Sequence, residues 1–382
     1  MNSPKEAVSL GRGDPPGGET TRSTTRQFTD LQKTITMAQI AKAAGVSQGA
    51  ISSLLNDRDY GIRVSERTRE RVFKVCRDMG YLPNDLRAVV RMYPELGSYA
   101  LLVSRQLGMA LEHPFVSRIA GAAMRAVPDP SRPITFACYD DTADYGANSE
   151  SLPEPVRSGI ASRFIGLGAP NLSLLHNLAR RALPFVSLGF DAAQPGVVSV
   201  LPDYARASQL ALEAFVKLGH KRLAIVSGPF GTTDPQILEL NRGVRMAYER
   251  LGISIETQNI IYGDLTFAAG ITACDTLLAR KPEPTAIFCM NDAVAAGVIA
   301  QAQVRGRKVP GEVSVIGCSD DGLAERTLPA LATIHIPAEE MGRVAIDEAD
   351  RLIRDGLSPE PERKIIAVRL VERASLGPAR KG

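Results

Sequence analysis

The densest set of residues able to do chemistry lies between Thr36 and Asn56. Thr36-Met37-Ala38-Gln39 has the spacing of a capping box, in which a hydroxyl and an amide three residues apart satisfy free backbone donors at a helix start. Gly45 supports a tight turn after an apolar face of Ile40, Ala43 and Ala44. Ser47 is placed to cap a second helix running to Asn56, and Ile51, Leu54 and Leu55 give that helix its buried side. Its other side carries Gln48, Gly49, Ser52, Ser53 and Asn56, small polar groups where a solvated surface helix usually carries long charged ones. Two short helices around a glycine turn can lay the second in the major groove of DNA, and small groups let backbone and base edges approach. The bland alternative is a plain three-helix bundle, completed by a helix expected from Ser65 to Met79 and stopped by Gly80.

Charge favours the first alternative. The chain of 382 residues has a formal net charge of +3, yet residues 35–91 hold ten Lys and Arg against six Asp and Glu, while residues 92–382 hold 30 against 32. The small front unit is therefore the basic one, where phosphates would be met.

The elements that must position these residues follow from composition and periodicity. Residues 1–34, rich in Gly, Pro, Ser and Thr, read as a disordered tail, and residues 35–82 as an all-α helix-turn-helix head. The segment from Asn84 to Arg91 alternates apolar residues with arginines and is too short for a helix stable by itself; it is expected to fold on a partner, within a hinge and linker spanning residues 83–97. Beyond it, short β-rich runs alternate with helical stretches, the pattern of βαβ units and parallel sheets. Strands are expected at Tyr99–Val103, Ile134–Cys138, Phe164–Gly166, Phe185–Leu188 and Val197–Val200. A second series covers Arg222–Ser227, Asn259–Tyr262, Ala286–Cys289, Val313–Gly317 and Ala332–Ile334. Two such series imply an α/β domain with two lobes over residues 98–375, followed by a tail at 376–382.

Several function classes are disfavoured. No window approaches the roughly 18 apolar residues of a membrane helix, and no apolar run in the first thirty residues fits a signal sequence, so a cytoplasmic location with no membrane partner is expected. The five cysteines are scattered, without a C-x-x-C pair, and read as reduced core residues. The four histidines form no metal-ligand spacing, and neither a G-x-G-x-x-G nor a phosphate-binding loop occurs, so no cofactor or metal is expected. Gly317-Cys318-Ser319-Asp320-Asp321 resembles a nucleophile elbow but has Asp321 where that turn needs Gly, so no catalytic residue is assigned. An exported solute-binding protein of the same lobed fold would need a signal sequence and no DNA-binding head, the reverse of what stands here.

Four blocks carry a resemblance: Thr36–Ser47, Ile51–Asn56, Val64–Val72 and Gly80–Asn84 look like the lac repressor family. The match continues to about Ser375 through His113-Pro114-Phe115, Leu218-Gly219-His220-Lys221-Arg222, Asn291-Asp292 and Val309–Gly317. The resemblance implies lobes like those of periplasmic sugar-binding proteins, of residues 98–202 with 337–364 and of residues 203–333, a homodimer, a double-stranded operator and a small-molecule effector. It implies DNA contacts from Thr36, Met37, Ser47, Gln48, Gly49, Ser52, Ser53, Asn56, Ser65, Asn84, Arg87 and Val90. Val90 stands where the family places an apolar wedge, usually Leu; Ser53 replaces a common Arg, and Arg87 a small residue, leaving Gln48 as the main base-reading side chain. The loop from Asn56 to Val64, with two extra arginines, is either bland or a further phosphate contact.

The effector is expected between the lobes at the carboxyl ends of the strands. Phe115 and Asn291 are placed to line that cleft, Asn291 being equally able to serve at a helix start, and Asp191 is a further candidate by position. In sugar-binding members an Arg and an acidic residue stand where this chain has Leu240 and Ser319; Asp320, the next residue, is a possible substitute for the acid. A sugar effector is therefore less favoured than the resemblance alone would make it.

Overall fold

Thr36 caps the first helix from both sides: its hydroxyl accepts from the Gln39 amide at 3.3 Å, and its own amide donates to Gln39 Oε1 at 2.8 Å. The computed structural model describes residues 35–56, 64–81, 83, 86–105, 114–130, 132–146, 149–232 and 234–380. The tail at 1–34, the loop at 57–63 and Asn84 lie outside them, as do the side chains of Asn56, Arg87 and Phe115. The chain separates into two compact units between Met92 and Tyr93.

The first unit contains α1 (Met37–Ala44), α2 (Gln48–Asn56), α3 (Glu66–Asp78) and α4 (Leu86–Met92). Gly45 takes the left-handed φ of 62° that closes the turn after α1. Ile40, Ala41 and Ala44 are the buried residues of α1, not Ala43, because this helix packs against both α2 and α3 and needs a wider apolar face than one stripe. Ile51 and Leu55 of α2 and Val72 and Cys76 of α3 complete this core. Ser47 and Ser65 cap α2 and α3 through the amides of Ala50 and Thr68.

The second unit holds two six-stranded sheets. In the first, the order is β11 (Glu362–Ile366), β5 (Val197–Pro202), β4 (Phe185–Leu188), β3 (Ala161–Leu167), β1 (Ser98–Ser104) and β2 (Ile134–Tyr139), all parallel. Its helices are α5 (Pro114–Ala126), α6 (Glu154–Ser158) and α7 (Leu172–Arg180). The second sheet runs β12 (Arg369–Val371), β10 (Ala332–His335), β9 (Ser314–Ser319), β8 (Ala286–Cys289), β6 (Leu223–Ser227) and β7 (Ile260–Tyr262), parallel except for β12. Around it stand α8 (Tyr204–Lys217), α9 (Pro235–Leu251), α10 (Phe267–Leu278) and α11 (Asp292–Val304), and α12 (Ala338–Asp355) returns to the first sheet.

The central strands β1, β3 and β8 are buried at every residue, as strands covered by helices on both faces must be. Edge strand β2 is only partly covered, so Cys138 is exposed and not a core residue; the other four cysteines are buried. Strands β11 and β12 escaped the sequence reading because Glu362-Arg363-Lys364 and Arg369 are polar, as an edge permits. Among the described residues, no helix is long and apolar enough to cross a membrane.

Candidate functional site

In the first unit the chemistry gathers at the start of α2. Gln48 is exposed in its first turn, and Gly49, Ser52 and Ser53 are half-buried. Positions 48 and 52, and 49 and 53, are one helical turn apart and share a side. No acidic residue stands in the first turn of α2, so its partial positive charge is free to meet a phosphate. Thr36 and Ser65 are exposed at the starts of α1 and α3, beside the half-buried Met37 of α1. Val90, expected to wedge between bases, is buried here, as are Ala88 and Met92, and the Met92 carbonyl accepts from Arg77 at 3.0 Å. The α4 segment therefore draws part of its support from α3, whereas the sequence reading had it folding on a partner.

In the second unit a cavity of about 440 Å³ opens between the sheets at the carboxyl ends of their strands. From the first sheet come Val116 and Ile119 of α5, Leu167, Gly168, Leu188, Gly189 and Phe190. From the second come Tyr204, Asp234, Gln236, Leu265, Asn291, Asp292, Ser319, Asp321 and Leu323, with Cys318 and Ile336 at the floor. Every polar side chain in this described lining belongs to the second sheet.

Two expected residues line the cavity. Asn291 does so while capping α11: its Oδ1 accepts from the Val294 amide and its Nδ2 donates to the Leu265 carbonyl, both at 2.8 Å. Asn291 is thus the helix-start residue of α11, and it stands at the cavity. Ser319 donates its hydroxyl to Asp292 at 3.1 Å. Phe115 belongs to α5, one residue before Val116.

Three other residues are not among the described lining. Leu240 is fully buried in the core one turn into α9, because Asp234 caps this helix and leaves Gln236, not Leu240, at the cavity. Asp191 pairs with Arg363 at 2.7 Å, and its neighbour Phe190 lines the cavity. Asp320 turns to His335 and Arg373, both at 2.8 Å, and Asp321 takes the inward place. The last exchange follows from the backbone: Ser319 has φ 145° and Asp320 φ 55°, sparsely populated values for side-chain-bearing residues and ones that collect at functional sites.

Electrostatics concentrate on Asp292, which the sequence reading did not place in the cleft. Burial raises its carboxyl to about 6; hydrogen bonds from Thr333, the Asp321 amide and Ser319 pull the other way, and the Asp321 charge adds to the rise. Around Asp320 burial works upward too, but Arg373 and His335 outweigh it and hold the carboxyl low. Tyr204, another residue that sequence reading missed, has a buried hydroxyl without a hydrogen-bond partner among the described residues. The one signal for it was its place just after Asp203, the cap of α8. Among the described residues, no group of His, Cys, Asp and Glu is arranged to hold a metal ion.

Residues 36–84 match the bacterial regulatory proteins of the lacI family, and residues 212–376 match the periplasmic binding protein-like domain. The chain is 29% identical to the HTH-type transcriptional regulator DegA of Bacillus subtilis, over 90% of this chain and 98% of that one. To the ribose operon repressor of Escherichia coli K12 it is 27% identical, over 82% and 91%. A solved complex of the transcriptional regulator CelR with cellobiose is 25% identical and superposes with a TM-score of 0.61, covering 89% of this chain and 99% of that one.

Proposed function

This chain belongs to the lacI family of bacterial DNA-binding transcriptional regulators, and from that premise we propose that it represses transcription by holding a double-stranded operator under the control of a small molecule in the cleft. The head spans residues 35–82, the hinge and linker 83–97 and the effector domain 98–375. The chain acts in the cytoplasm, as a regulator and not as an enzyme.

One observation carries the DNA reading: a capped helix, a left-handed glycine turn and a second capped helix present Gln48 beside Gly49, Ser52 and Ser53 within the basic unit. Gln48 reads a base edge, and the small residues let α2 sit deep. Two chains pair through the second unit and present two heads to two half-sites. A face of α5 and β2 supports this pairing: Met124 is 54% exposed and Phe136 41%, more apolar surface than an isolated lobe needs to show.

Ligand action follows from what crosses the cleft. Arg118 on α5 donates to the Asp320 carbonyl at 2.7 Å and pairs with Glu339 at 3.3 Å, so it ties the first-sheet wall to the strained turn after β9. A ligand that moves this turn alters the set of the lobes, and through the linker the spacing of the heads.

Sequence-selected DNA fragments test the reading. Gln48→Ala should cost about 2 kcal/mol of discrimination at the contacted base while leaving the salt dependence of binding unchanged. Equal retention of all fragments by the wild-type protein would overturn it.

A further inference from the structure

Among the described residues, the polar wall of the cleft holds an unpartnered hydroxyl and carboxylates with no cation to balance them. The Tyr204 hydroxyl is buried and unpaired among the described residues. Asp321, only 7% exposed, spends one oxygen on the Leu323 amide, and Asp234 spends one on the Gln236 amide; neither forms an ion pair among the described residues. Burial raises the Tyr204 phenol, and Cys318 and Asp234 add to the rise, which puts Asp234 within electrostatic reach of that hydroxyl.

The neighbouring basic side chains are already engaged. Arg118 serves the Asp320 carbonyl and Glu339, Arg373 serves Asp320 and Glu325, and His335 serves Asp320. No Lys or Arg stands in the described lining, and residues 106–113 and Thr233 contain none by sequence. Opposite the acids, the described residues of the first-sheet wall are apolar.

We infer that the effector is an organic amine, its ammonium held by Asp234, Asp321 and the Tyr204 hydroxyl and its apolar body packed on Val116, Ile119 and Leu188. Asp321 is a buried carboxylate without a compensating charge among the described residues, and the exposed Asp234 adds negative potential at the cavity; an anion would be repelled, and an uncharged polyol would leave Asp321 unbalanced. This rests on the cleft being the effector site.

Calorimetric titration of the full chain with a matched trio, 4-phenylbutylamine, 4-phenylbutanol and 4-phenylbutyrate, tests the idea. The amine should bind about tenfold more tightly than the alcohol, in line with one charge-assisted contact, and the acid least well. Asp234→Asn and Asp321→Asn keep the oxygens that cap the backbone; each should weaken the amine about tenfold and leave the alcohol unchanged. The inference falls if the amine does not bind, or if the alcohol or acid matches it. Leu323→Trp, at a partly exposed edge, fills the cleft, and Val116→Phe does so from the opposite wall should the first variant not fold. Amine binding that survives a filled cleft removes the site itself. Three ligands binding equally to wild type and lost on filling leave the site intact and remove only the charge preference.

Discussion

The two walls of the cleft are made from the same repeating βα units, yet they differ in kind. Among the described residues, the first-sheet wall is Val116, Ile119, Leu167, Leu188 and Phe190, with two glycines; the second-sheet wall carries the described polar lining and the strained turn at Ser319 and Asp320. Such a division separates tasks. A polar wall held by its own hydrogen bonds fixes a ligand's orientation before closure, and an apolar wall closes on it by excluding water, a force without direction.

The sharpest way to break the polar wall is Gly317→Ala on β9. A Cβ at this position would lie 2.3 Å from Asp292 Oδ1 and 3.0 Å from a Leu331 methyl, so Asp292 would be driven from the bonds it accepts from Thr333, Ser319 and the Asp321 amide. A loss of about 3 kcal/mol or more is expected in urea unfolding. A loss under about 1 kcal/mol would mean that this wall adjusts as readily as an apolar one.

Asp292→Asn tests the same network through pH. Burial lifts the Asp292 carboxyl from 3.8 to about 6, so its protonated form is favoured in the folded state. Its stabilising contribution is then fully present below pH about 4 and is lost as pH rises through about 6, up to about 3 kcal/mol in all. The wild-type protein should therefore lose stability relative to Asp292→Asn between pH 4 and 7. Parallel unfolding curves for the two proteins across this range would show that Asp292 does not titrate there.

The smallest effect is expected from Tyr204→Phe. Removing a buried hydroxyl that has no partner should leave the unliganded protein unchanged or more stable by up to about 1 kcal/mol. A clear destabilisation in thermal melts would show that the hydroxyl is satisfied within the protein and not reserved for a ligand.

Legibility in the sequence divides along the range over which the physics acts. The head was readable because its signals are local: Thr36 and Gln39 cap each other, Gly45 turns the chain, and Ser47 begins the next helix within a dozen residues. Central strands such as β1 and β8 were readable as short apolar runs, and Asn291 and Ser319 could be placed at strand ends. Strands β11 and β12 and the polar wall as a whole were not.

The sequence by itself determined the order of most elements and the basic head, because helix caps, turn glycines and apolar periods are properties of neighbouring residues. Only the tertiary structure decided which neighbour points inward: Asp321 and not Asp320, Phe190 and not Asp191, Gln236 and not Leu240. Those choices depend on a positive φ, an ion pair with the distant Arg363 and the end at which a helix meets the cavity. Adjacent residues share nearly the same sequence environment, and only packing against remote strands separates their fates.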